Sequence, residues 1–202
     1  MSVWSLPARL AVAALVLTWA PQAPPAATDT SGFNLIRLRQ LDALVHDAIA
    51  ARELPGAVVV VGRGDRVVFR KAWGDRALLP AREAMTLDTV FDLASLTKVV
   101  ATTSAVMMLV EDGRVRLVDP VAKFIPEFGR YGKDRVTIRD LLTHMSGLRP
   151  DVDVSDVWVG YDQAIRLASE EVLTASPGRR FVYSDINYFL LADVVARVSG
   201  QP

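Results

Sequence analysis

Val90-Phe91-Asp92-Leu93-Ala94-Ser95-Leu96-Thr97-Lys98 leads into an apolar run, Val99-Val100-Ala101 through Met107-Met108-Leu109-Val110, that stops at Glu111-Asp112-Gly113. The run is too long for a strand, and Gly113 stands where a helix C-cap is placed. It predicts a buried helix from Lys98 to about Asp112, with Ser95 at its N-terminal edge. Residues three apart share a helix face, so the Lys98 amine comes to the Ser95 hydroxyl beside the partly positive helix end. A serine hydroxyl is a poor nucleophile until a base takes its proton, and a lysine whose pKa burial has depressed can help to do that. Taken alone, S-x-x-K is weak, and a capping serine with a solvated lysine is its plainer reading.

Upstream, Leu38, Leu41, Leu44, Val45, Ala48 and Ile49 keep helical spacing between Phe33 and Arg52, and Pro55-Gly56 stops that helix. His46 lies within it and reads as solvated. Ala57 to Val61 and Val67 to Phe69 are β-branched or aromatic runs separated by Gly62-Arg63-Gly64-Asp65-Arg66, which predicts a hairpin. Residues 75 to 89 read as loop. The first thirty residues stand apart: Arg9 is their only base, Asp29 their only acid, and Leu10 to Ala20 is mostly apolar. Eleven residues suit the core of a secretory signal better than a bilayer span. Residues 1–27 are therefore expected to be signal peptide and linker, cleaved near Ala23 to Ala27, which predicts a secreted or periplasmic protein with no stable membrane span.

Downstream, Val115 to Leu117 reads as extended and Val121 to Phe124 as a brief helical segment. Thr137-Ile138-Arg139-Asp140 has capping-box spacing and starts a helix from Ile138 to His144. His144 reads as structural, with its ring near that helix's C-terminus. Asp151, Asp153 and Asp156 lie in an irregular loop without the Gly and Glu spacing of an EF-hand, and read as solvated. Tyr161 to Leu173 is expected to be helical. Phe181-Val182-Tyr183 is extended, and Ser184-Asp185 can cap a last helix from Asn187 to Val198. A tyrosine made more acidic by a nearby ammonium can accept a serine proton and return it to a leaving group. Lys98 would supply the charge, and a polar residue two positions after the tyrosine would hold the lysine.

Three segments in order carry a family resemblance: Phe91-Asp92-Leu93-Ala94-Ser95-Leu96-Thr97-Lys98, Thr137-Ile138-Arg139-Asp140-Leu141-Leu142-Thr143-His144-Met145-Ser146-Gly147-Leu148, and Phe181-Val182-Tyr183-Ser184-Asp185-Ile186-Asn187-Tyr188. The chain from about residue 33 onward resembles the serine β-lactamase and penicillin-binding-protein superfamily, in its class C-like branch of D-alanyl-D-alanine carboxypeptidases and related esterases. The resemblance implies an α+β, β-lactamase/transpeptidase-like fold over 28–202, with helices packed on an antiparallel sheet. It makes Ser95 the nucleophile, Lys98 the activating cation or co-base, Tyr183 the general base and Asp185 a substrate-binding residue. Asp185 stands where the family's Y-x-N motif usually has Asn. A carboxylate cannot donate as an amide does, which places esters or D-alanyl peptides above β-lactams as substrates. No Lys-Thr-Gly or His-x-Gly triplet lies between Gly200 and the end. In the family that triplet's strand gives one of two oxyanion-hole N–H groups, so the sheet is expected to be incomplete and the chain to be the N-terminal part of a larger protein or a degenerate product.

The resulting expectation is a secreted serine hydrolase working through an acyl-enzyme on a small-molecule or peptide substrate. The alternative is a non-catalytic or slowly acylated module that holds peptidoglycan-like ligands. Composition narrows the field further. Lys and Arg number 23 against 23 Asp and Glu, so no basic footprint for nucleic acid exists. With no cysteine and two separated histidines, no metal site is expected, and no phosphate loop or cofactor is implied.

Overall fold

A computed structural model describes residues 32–153 and 159–201. The expected signal segment and Asp156 lie outside the described residues. The chain forms two compact units that divide between Val90 and Phe91.

In the first unit, short helix α1 (Leu35–Leu38) is followed by α2 (Gln40–Ala50), which ends before Pro55 as the sequence predicts. The hairpin pairs β1 (Gly56–Arg63) with β2 (Arg66–Ala77) in antiparallel register, Arg63 opposite Arg66. Gly64 opens the two-residue turn at φ +61°, the positive angle that tight hairpin turns need there. At the other end the backbones nearly touch: a Cβ on Gly74 would lie 2.4 Å from the Pro55 carbonyl oxygen. The second strand runs past Trp73, and β3 (Glu83–Ala84) pairs with its end inside the segment expected to be loop. Among the unit's described residues Trp73 is the buried aromatic. Its indole N–H donates to Asp42 of α2 at 2.8 Å, and Lys71 pairs with the same carboxylate.

In the second unit the predicted central helix is real but differently wound. Lys98–Thr103 forms a π-helical stretch, and α3 (Ser104–Glu111) continues it to Gly113, which closes it at φ +71°. Val99, Val100, Thr102 and Thr103 are β-branched and crowd a regular α-turn. Ser104 Oγ donates to the Val99 carbonyl five residues back, which supports the wider spacing. The helix is also less buried than expected: Val106 and Leu109 enter the core, while Val99, Val100 and Met108 are each at least 60% exposed. Val115 to Leu117 pairs in no strand. Helical turns of 3₁₀ type follow at Val121–Lys123 and Pro126–Gly129.

Helix α4 (Ile138–Leu142) begins with the predicted capping box: Thr137 Oγ1 accepts from the Asp140 N–H, and Asp140 accepts from the Thr137 N–H. Helix α5 (Tyr161–Glu170) and helix α6 (Asp185–Ser199) complete the unit. Helix α6 touches α3, α4 and α5 and sends Ile186, Leu190, Leu191 and Val194 into a core with Phe128, Ile138 and Leu141. Ser184 sits at the N-cap of α6, but its hydroxyl donates to the Arg149 carbonyl at 2.6 Å instead of capping the helix. Among the described residues no helix is long and apolar enough to cross a membrane.

Candidate active site

Ser95, Lys98, Tyr183 and Asp185 all lie in the second unit, and the fold brings them together. Two elements do this. The turn into the central helix presents Ser95, and the turn into α6 presents Tyr183 and Asp185. The first turn is held by a local device: Asp92 Oδ1 accepts from the Ala94 N–H at 2.7 Å, an Asx-turn. Ala94 itself has φ +43°, a conformation that costs energy for a residue with a Cβ. The strain falls on the residue immediately before Ser95 and leaves the serine exposed at the head of the helix. Sequence alone assigns Asp92 no role, and the positive φ of an alanine carries no sequence signal.

Lys98 is the hub. Its ammonium donates to Ser95 Oγ at 3.3 Å and pairs with Asp185 Oδ1 at 2.7 Å. It stands 5.1 Å from the centre of the Tyr183 ring and 5.8 Å from that of Tyr188. Ser95 and Lys98 are the neighbours that act most strongly on the Tyr183 phenol. Burial is the largest influence on Lys98 and pulls its pKa down, but hydrogen bonds to Asp185 and Tyr183, with their charges, outweigh it. The net shift is upward, so Lys98 is a held cation, not the burial-depressed amine that the sequence suggested. Tyr183 moves the other way. Hydrogen bonding by Ser95 and then by Lys98 lowers its pKa, against burial and the Asp185 charge. A hydroxyl, a phenol of lowered pKa and a fixed ammonium are the parts that nucleophilic acyl transfer uses.

His144 is closer to this cluster than its helix-end reading implied. It lies just past α4 at φ +58°, its ring 4.6 Å from that of Tyr183 and tilted by 31°. Its Nδ1 accepts from the Ser184 N–H at 3.1 Å, and its carbonyl accepts from the Val182 N–H at 2.9 Å. The same Thr-His-Met-Ser-Gly segment includes Gly147 at φ +86°, where a Cβ would fall 2.0 Å from the Ala175 carbonyl oxygen. Among the described residues no group of three or more His, Cys, Asp or Glu is placed to hold a metal ion.

Comparison with known proteins gives a consistent picture. The family model described as Beta-lactamase matches residues 41–202. A protein of Escherichia coli O157:H7 named "Putative D-alanyl-D-alanine carboxypeptidase" is 33% identical over 193 residues, 86% of this chain and 44% of that protein. The N-acetylmuramyl-L-alanine amidase of Bacillus subtilis strain 168 is 32% identical over 193 residues, again 86% and 44%. The chain thus spans less than half the length of these curated relatives. The octameric penicillin-binding protein homologue from Pyrococcus abyssi matches at TM-score 0.70 and 31% identity, over 81% of this chain and 40% of that one. A class C beta lactamase matches at TM-score 0.70 and 24% identity, over 85% of this chain and 47% of that one, a likeness of fold.

Proposed function

This chain belongs to the beta-lactamase family, and from that premise we propose that it is a secreted serine hydrolase whose Ser95 forms an acyl-enzyme on ester or amide bonds. The observation that carries the reading is the single cluster in which Lys98 reaches both Ser95 and Asp185 and stands 5.1 Å from the centre of the Tyr183 ring, whose phenol pKa Ser95 and Lys98 lower. Tyr183 takes the Ser95 proton as Oγ attacks the carbonyl carbon. The phenol then gives that proton to the leaving alcohol or amine as the ester or amide bond breaks. Water, deprotonated by the same Tyr183, attacks the acyl-enzyme and frees Ser95. Lys98 keeps its charge throughout and favours the phenolate. The substrate is a carboxylic ester, a D-alanyl peptide or a β-lactam, and Asp185 ranks the first two ahead of the third. One Asp185 oxygen is on Lys98, and the side chain is 40% exposed, so the other can accept an N–H or O–H from substrate but donates nothing to a carbonyl.

The test is the intact mass of the purified protein with and without a fluorophosphonate, beside Ser95→Ala. A single adduct that vanishes in Ser95→Ala supports the hydrolase reading, and esters, D-alanyl peptides and β-lactams are then compared by kcat/KM. A folded protein that takes up no adduct overturns it. After export, the same mass locates the mature N-terminus, expected near Ala23 to Ala27.

A further inference from the structure

Beneath the Tyr183 turn runs a buried polar chain whose hydrogen bonds have one consistent direction. The Ser184 backbone N–H can only donate, and it points at His144 Nδ1 from 3.1 Å. Nδ1 must therefore carry a lone pair, which places the ring proton on Nε2. The Asn187 side-chain nitrogen is 3.3 Å from the same Nδ1, so the amide presents its NH₂ there. Its oxygen then faces Ser146, whose Oγ donates to it at 2.6 Å. The Ser146 oxygen in turn accepts the Leu148 N–H at 3.1 Å. Asn187 is fully buried and Ser146 nearly so, which makes a reversed or broken link costly.

We propose that His144 is a positioning residue for Tyr183: neutral and protonated on Nε2, it holds the turn that aims the phenol at Ser95, and a second proton on Nδ1 releases that turn. The idea rests on Tyr183 being the general base. The ring packs against Tyr183 at 4.6 Å, against Tyr188 at 5.3 Å and edge-on to Phe181 at 5.9 Å, while its carbonyl holds Val182. A proton on Nδ1 would confront two donors, the Ser184 N–H and the Asn187 NH₂, with a third. The charged groups around the ring act in opposite senses: Lys98 opposes protonation and Asp185 favours it. Burial, the largest influence, joins Lys98 and keeps the ring neutral to below the ordinary histidine range.

The proposal is tested on the 202-residue chain with His144→Asn and His144→Ala. Asn tolerates the positive φ, and its Oδ1 can take the place of Nδ1 as an acceptor that never titrates. Fluorophosphonate labelling of Ser95 at pH 8 is expected to slow about 10- to 100-fold in His144→Ala, the effect of leaving a buried donor unpaired, and to stay within about fivefold in His144→Asn. Below pH 6.5 the wild-type rate is expected to fall more steeply than that of His144→Asn, by up to one further power of proton concentration. Two readouts do not depend on reactivity. Imidazole ¹⁵N shifts should report the Nε2–H form at neutral pH, and the Ser184 amide resonance should titrate with His144 in the wild type but not in His144→Asn. A folded His144→Ala that labels within threefold of wild type, or an Nδ1–H ring, overturns the proposal. If the wild type itself takes no label, the hydrolase reading fails, and the ¹⁵N and Ser184 readouts then decide whether His144 holds the turn.

Discussion

One neighbour, Asp185, acts on both Lys98 and Tyr183, although Ser95 and Lys98 are the larger influences on the phenol. Its carboxylate holds Lys98 in the charged state and at the same time resists ionisation of Tyr183. Asp185→Asn removes both influences. Lys98 keeps its proton at neutral pH, because the amide only relaxes a raised pKa toward the ordinary lysine value. Tyr183 ionises more readily without the adjacent negative charge. If Tyr183 is the base as proposed, the labelling rate of Ser95 rises with pH as Tyr183 loses its proton, and should therefore reach half its plateau at lower pH in Asp185→Asn than in wild type. A midpoint that moves up, measured across pH 6 to 10, contradicts the assignment. Ser95, Lys98, Tyr183 and Asp185 could be singled out in the sequence because three motifs in order resemble a known family, whereas the S-x-x-K spacing alone is a weak signal. The support beneath them was not. Ala94 becomes strained only through its Asp92 cap, and His144 gains its partners only when a turn forty residues later folds onto it.

At the level of elements, sequence reading does best where the deciding contacts are local. The capping box of α4 is closed by residues three apart, and the hairpin turn by two residues, so both could be read in order along the chain. Thr137→Ala should cost about 1 kcal/mol of stability, measured by urea unfolding. The central helix was placed correctly but expected as regular and buried, because an apolar run does not disclose which face meets a neighbour. The end of α5 shows a distant contact that composition could not disclose. Lys133 is fully buried, with its ammonium donating to the Ser169 carbonyl at 2.8 Å and to that of Glu171. It also sits 5.0 Å from the centre of the Phe128 ring. Lys133→Met keeps the bulk but strands those carbonyls, and should lower stability by about 1–3 kcal/mol in the same unfolding assay.

For the molecule as a whole, the α+β, β-lactamase/transpeptidase-like fold follows from the solved neighbours, and the described residues supply its helices and an unclosed three-stranded antiparallel sheet. The order of the motifs made that class readable. The division at Val90 was not readable, since no Pro- or Gly-rich linker marks it. Acid stability is a property at this scale, and Asp119 contributes to it. This buried carboxylate accepts from Lys123 at 2.8 Å and from the side chain and backbone of Arg116, and is held at a pKa of about 2 against 3.8 unperturbed. In the unfolded chain it takes up a proton at higher pH than in the native one. Its contribution is therefore complete above about pH 4 and disappears as pH falls toward 2. The shift corresponds to about 2 kcal/mol. Asp119→Asn should lose that amount at pH 7 and show a shallower decline in unfolding free energy between pH 4 and 2. The two-residue turn at Gly64-Asp65 has a practical use. A Cβ on Gly64 would meet nothing within 4 Å, Asp65 is exposed, and the 202 residues contain no cysteine. Asp65→Cys therefore creates a unique thiol for a fluorophore or a surface tether, in the unit that does not contain Ser95.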